Sequence, residues 1–166
     1  EVIKYGILGN ASLFEALRSG SLSVEEEIET CVRMKAEIVE EDERDTGRRR
    51  LLNLGHTFGH AVESRSGYSL LHGEAVAIGT AMIARAAVKK GFLDSEEADD
   101  IEALLKQYGL PTETGDSADD LYDTLLLDKK ISSGKLNLIV PREIGRCEAI
   151  PVNPTELRTW LEAGYD

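Results

Sequence analysis

Cysteine is nearly absent from this sequence: Cys31 and Cys147 are its two thiols, with no CxxC pair. That scarcity excludes a disulfide-stapled scaffold, so a reducing cytoplasm is the expected setting and both thiols are expected to be inert. Long apolar runs are missing as well. The longest charge-free stretch after Glu74 runs only from Ala75 to Ala84, against the roughly 20 residues a membrane-spanning helix needs. Nothing resembles a secretory signal, and no membrane partner is expected. Positive charge is scarce: 19 Lys and Arg stand against 31 Asp and Glu, a net charge of −12. Beyond Arg48-Arg49-Arg50 and Lys129-Lys130 there is no basic stripe, which argues against a nucleic-acid partner. Aromatics are 5% of residues and prolines number four, but 42% of the chain is hydrophobic and 30% charged, a composition that folds. The 166 residues suit one domain over 1–166. The chain begins at Glu1 rather than methionine, and a missing upstream segment is expected.

Helical periodicity dominates what is there. Ser23 followed by Glu26 forms a capping-box signature ahead of an amphipathic segment from Val24 to about Glu41, with Val24, Ile28, Cys31 and Ile38 on its apolar side. Helices are predicted near 48–63, 73–90, 95–108 and 118–127; the second is rich in Ala, Val, Ile and Met and is expected at the centre of the core. Gly109-Leu110-Pro111 ends the third. A small β-hairpin is predicted near residues 135–152, with strands at Lys135–Val140 and Cys147–Val152 and a turn across Arg142 to Gly145. Asn153-Pro154 then opens a closing helix carrying Leu157, Trp160 and Leu161. The fold class is mainly α.

Chemistry concentrates in one stretch. Drawn as a single helix, residues 49–63 place Arg49, Asn53, His56, His60 and Glu63 within roughly 80° of arc, opposite Leu51, Leu54, Phe58, Ala61 and Val62. An amide and two imidazoles there are metal ligands, proton carriers and anion donors. Gly55 and Gly59 cost helix stability and signal close approach by another backbone or a ligand. All three histidines lie between positions 56 and 72, and His72 opens the next helix, so a helix hairpin brings it opposite His56. Two imidazoles and a carboxylate make an open zinc site. Glu63, Glu74, Asp42 and Asp45 are all candidates for the carboxylate, and ordinary hydrogen-bonded histidines are the competing reading. Lys35 sits on the apolar side of its helix, where a charge needs an anion or must snorkel. Lys129-Lys130, after Asp128, are placed to hold a phosphate unless they form a plain solvated face.

Taken together, EVIKYG (1–6), KAEIV (35–39), DER (42–44), LNLGHTFGHAVE (52–63), LHGEAVA (71–77), GLP (109–111) and DKK (128–130) resemble the C-terminal half of the 3-dehydroquinate synthase family. They occur in family order over nearly the whole chain, and the long run around His56 is highly specific. The resemblance implies the helical C-terminal domain of the dehydroquinate synthase-like fold, with a divalent metal, most often Zn2+ and alternatively Co2+, held by Glu1, His56 and His72. It implies substrate contacts from Lys4, Lys35, Arg49, Asn53, His60 and Lys129, with Lys35 and Arg49 suited to a carboxylate and Asn53, His60 and Lys129 to a phosphate. The reaction implied is conversion of the phosphorylated keto acid DAHP to 3-dehydroquinate and phosphate in the shikimate pathway, a lyase step of aromatic amino acid biosynthesis that uses NAD.

Two departures follow from the resemblance. Asp45 stands where many relatives carry glutamate. The NAD-binding domain expected upstream, with its glycine-rich phosphate loop, has no counterpart here. No NAD-binding residues are therefore assigned, and the chain alone is expected to be inactive until joined to that N-terminal domain. A homodimer is allowed. The alternatives are another sugar-phosphate cyclase, of valiolone or inosose synthase type, and a non-catalytic metal-binding helical module.

Overall fold

The computed structural model describes residues 1–43, 47–127 and 136–165. Its elements run α1 (Val2–Gly9), α2 (Ala11–Ser19), α3 (Val24–Glu41), a 3-10 segment (Arg48–Asn53), α4 (His56–Arg65), α5 (His72–Lys89), α6 (Ser95–Gln107), α7 (Ala118–Leu126), β1 (Leu136–Glu143), β2 (Arg146–Val152) and α8 (Pro154–Ala163). Lys129 and Asp45 lie outside the described residues. Among those described, no helix is long and apolar enough to cross a membrane.

α5 forms the axis of the core. Its residues from Ala75 to Ala84 are all buried, as are Ala86 and Ala87, as expected of a helix whose apolar residues leave no polar face. It packs on α4, α6, α8 and β1. Contact with α4 is at backbone distance. A Cβ added at Gly79 would lie 2.0 Å from the Gly55 carbonyl oxygen and 2.6 Å from the Gly59 nitrogen, and one at Gly59 would lie 2.9 Å from the Ala75 carbonyl oxygen. The close approach signalled by Gly55 and Gly59 is therefore real, with Gly79 as its third member.

The helix expected across 48–63 is instead two elements. Leu54 turns to ψ 129 and Gly55 adopts φ 75, a left-handed conformation that glycine enters without penalty. The 3-10 segment therefore stops at Asn53, and α4 starts afresh at His56. The single-helix arc drawn through Arg49 and His60 does not exist, although His56, His60 and Glu63 do share one α4.

Residues 1–22, to which periodicity assigned no element, fold as α1 and α2. The junction is set by Asn10, whose side chain accepts a hydrogen bond from the Leu13 N–H at 2.9 Å. α3 is capped by the predicted Ser23–Glu26 box. Its apolar side is only half used: Ile38 is buried, whereas Val24, Ile28 and Val32 are 55–64% exposed. The hairpin is antiparallel, with Leu136 opposite Val152, and its turn is tighter than predicted. β1 runs on through Pro141, opposite Cys147, to Glu143, with the register shifting between Pro141 and Glu143; a two-stranded sheet has only edge strands, where proline is tolerated. Gly145, at φ 93, donates its N–H to the Ile7 carbonyl at 3.0 Å and fastens the hairpin to α1.

Candidate metal centre

Three chain segments deliver the site. Glu1 precedes α1, His56 is the first residue of α4 and His72 the first of α5. The glycine-mediated contact between α4 and α5 brings the imidazoles of His56 and His72 to 5.3 Å between centroids. His60, one turn along α4, has its ring 5.4 Å from His56 and 5.8 Å from His72, and ligand atoms of all three histidines lie within 4.8 Å of one another.

Glu1 Oε1 is 3.4 Å from His56 Nε2 and 3.6 Å from His72 Nε2. Atoms each about 2.0–2.1 Å from one tetrahedral ion stand roughly 3.4 Å apart, so these spacings fit a divalent cation. His56 Nδ1 lies 2.9 Å from the Leu54 carbonyl oxygen; a carbonyl only accepts, so Nδ1 carries a proton and Nε2 is the nitrogen left to face Glu1, as a donor to its carboxylate or, with a divalent cation between them, as a ligand. The other oxygen of Glu1 is 2.6 Å from Lys4 Nζ, which also donates to the Leu52 carbonyl at 2.8 Å. Burial works against ionisation of Glu1, but hydrogen bonds from His56 and Lys4, with the charge of Lys4, outweigh it and hold the carboxyl well below the usual carboxylate range.

Of the other candidate carboxylates, the three among the described residues have partners of their own. Glu74 accepts from the Leu71 N–H at 2.9 Å as part of a cap, Asp42 accepts from Gly47 and Arg49 N–H at 2.7 and 3.1 Å, and Glu63 Oε2 lies 3.4 Å from His72 Nδ1.

Beside the histidines opens a cavity of about 390 Å³, whose polar lining includes Asn53, His56, Thr57, His60, Ser64 and Asn137. It gathers Asn53 and His60 next to the metal-type cluster. Arg49 does not line it; its guanidinium donates to the Glu43 carbonyl at 3.2 Å. Lys35 is exposed on α3 and also stands outside the cavity. Thr57, Ser64 and Asn137 were not singled out by sequence. Ser64 was findable, four residues after His60 on one face of α4, whereas Asn137 sits in a strand with nothing local to mark it.

Residues 1–131 match the family described as 3-dehydroquinate synthase C-terminal. The chain belongs to the 3-dehydroquinate synthase family. Curated 3-dehydroquinate synthases from Desulforamulus reducens and Shewanella loihica are each 42% identical over 159 aligned positions, covering 89% of this chain and 44% of theirs. That of a Bradyrhizobium strain is 41% identical, covering 98% of this chain and 48% of its own. The chain thus spans about half the length of the curated relatives it matches. Among solved structures, the valiolone synthase ValA from Streptomyces hygroscopicus, with NAD+ and Zn2+ bound, superimposes with a TM-score of 0.81 at 24% identity over 98% of this chain and 49% of its own. A 2-deoxy-scyllo-inosose synthase complexed with carbaglucose-6-phosphate, NAD+ and Co2+ gives 0.77 at 21% identity, over 96% and 49%. These likenesses establish a dehydroquinate synthase-like fold for the helical domain of this family member.

Proposed function

We propose that this chain is the metal- and substrate-binding half of a 3-dehydroquinate synthase, which converts DAHP to 3-dehydroquinate and phosphate when joined to an NAD-binding half. The reading rests above all on the convergence of Glu1, His56 and His72 at spacings of 3.4 and 3.6 Å beside a polar cavity, in a chain about 42% identical to named synthases.

Glu1, His56 and His72 are the residues to hold a divalent ion, Zn2+ or Co2+ by the chemistry of two imidazoles and a carboxylate. Such an ion polarises adjacent substrate hydroxyls and lowers their pKa for oxidation by NAD. The chain's own groups supply position and proton handling. Lys4 keeps the carboxylate of Glu1 turned toward the histidines. Asn53 and His60 face the cavity as donors for a phosphate, with Lys129 assigned to the same group by resemblance; Lys35 and Arg49, which stand outside the cavity, are assigned to the substrate carboxylate by that resemblance alone. Fixing both anionic ends of the substrate leaves the reacting carbons little freedom. His60 is suited to carry a proton at the phosphate-bearing end.

Zinc titration of the chain tests the ligand set. Glu1→Gln and His56→Ala are each expected to weaken binding by at least ~10-fold; unchanged affinity in both would remove it. The reaction is tested on a full-length enzyme containing this domain, offered DAHP, sedoheptulose 7-phosphate and glucose 6-phosphate in parallel. Turnover of DAHP alone is expected, and turnover of another substrate in its place would move the assignment to a sister cyclase. The isolated chain is expected to turn over none of them.

A further inference from the structure

We propose that Glu63 is the positioning partner of His72: its carboxylate fixes which ring nitrogen of His72 is presented to a divalent cation, without itself touching metal or substrate. The inference rests on the ligand set above and adds to it a residue that sequence reading weighed only as a possible ligand.

The three proposed ligands are anchored in three different ways. Glu1 is held through its second oxygen by Lys4, and His56 through Nδ1 by the Leu54 carbonyl. Both anchors are local and short. His72 has neither: its ring is 46% exposed at the first residue of α5, where several staggered rotamers are open to it. The group facing its Nδ1 is Glu63 Oε2 at 3.4 Å, while its Nε2 faces Glu1 Oε1 at 3.6 Å. Only the Nδ1 contact is within hydrogen-bond distance, and with a cation between Nε2 and Glu1 the Nδ1 proton would be the one left with an acceptor, so Glu63 favours the tautomer that presents Nε2, the nitrogen that the Leu54 carbonyl also leaves facing Glu1 on His56.

Glu63 is well placed to hold that geometry. It lies seven residues after His56 and so on the same face of α4, and it is only 20% exposed. The spacing of α4 and α5 is set by glycines whose replacement would drive Cβ atoms into backbone, so carboxylate and imidazole ride on two helices that cannot slide apart. An ordinary surface ion pair of this exposure would contribute little to stability and nothing to metal affinity. A positioning carboxylate does the reverse, and this difference separates the two roles.

The test is competition for Zn2+ between the chain and a chromophoric chelator, with E63A, E63Q, H72A, H56A and the E63A/H72A double variant, each also melted without metal. E63A is expected to weaken zinc binding by about 10- to 100-fold while its metal-free melting temperature stays close to wild type, with E63Q in between. The double variant is expected to bind no more weakly than H72A alone, because Glu63 acts through His72. An E63A competition curve that overlays wild type, while H56A and H72A weaken binding, would overturn the positioning role and leave the metal centre standing. A further loss from E63A in the H72A background would overturn it too. Wild-type protein indistinguishable from H56A would remove the ligand set, and this inference with it.

Discussion

Lys4 is a buried lysine, 6% exposed, and a buried ammonium is tolerable only where acceptors replace its water. Two do so here, Glu1 Oε2 and the Leu52 carbonyl, at 2.6 and 2.8 Å. On the proposed reading the same side chain turns Glu1 toward the histidines. Lys4→Met is therefore expected to destabilise the metal-free chain by about 1.5–3 kcal/mol, the range for a lost charge-assisted bond, and to weaken zinc binding; urea denaturation and chelator competition measure the two separately. A second residue-scale prediction concerns pH. Cys147 points its thiol at the Ile7 carbonyl at 3.6 Å, and burial pushes its pKa from 9.0 up to about 12. Because the folded value lies above the unfolded one, the neutral thiol's contribution is complete below pH 9 and is lost as pH rises toward 12. The urea midpoint is expected to fall between about pH 8 and pH 10.5 and to fall less in Cys147→Ala. Burial, with Asp116 and Asp120 nearby, raises Tyr165 to about 12, which adds a slope of the same sign in both proteins.

Between elements, the α4–α5 contact decides the site, because His56 and His72 open the two helices and Gly55, Gly59 and Gly79 set how near they come. Sequence showed part of this plainly. The hydrophobic run of α5 marked the core, the Ser23–Glu26 box marked the start of α3, and glycines among histidines marked close contact. The break at Leu54-Gly55 was hidden, because periodicity cannot register one residue at φ 75 inside an otherwise helical pattern. α1 and α2 were hidden for a related reason: each is about two turns long, too short for a period of 3.6 to declare itself. Gly79→Ala offers the sharpest test at this scale. Its Cβ has no room between two backbones, so the helices must part, at a cost of about 1–3 kcal/mol or more, or several degrees in melting temperature for a chain this size. Zinc affinity is expected to fall along with it. Gly73→Ala is the control: its Cβ meets nothing within 4 Å, and its melting temperature is expected to match or exceed wild type.

For the molecule as a whole, the hydrophobic pattern and the burial pattern agree nearly everywhere, and α3 is where they part. Sequence marked Val24, Ile28, Cys31 and Ile38 as one apolar side, yet Val24 and Ile28, with Val32 near them, stay exposed while Ile38 is fully covered. Nothing in a helical period distinguishes a stripe packed by its own domain from one that it leaves open, which is why sequence could place these residues on a face but could not bury them. The distinction has a thermodynamic consequence. Burial energy follows the area removed from water, so a stripe left in water contributes almost nothing to folding of this chain. Ile28→Ser is expected to change unfolding free energy by no more than about 0.5 kcal/mol, whereas Ile38→Ala, farther along the same helix, is expected to cost about 2–5 kcal/mol. Equal losses in urea denaturation would mean that the stripe is packed within these 166 residues after all, whereas an Ile28→Ser loss confined to a full-length enzyme containing this domain would locate its covering in the half that the chain does not span.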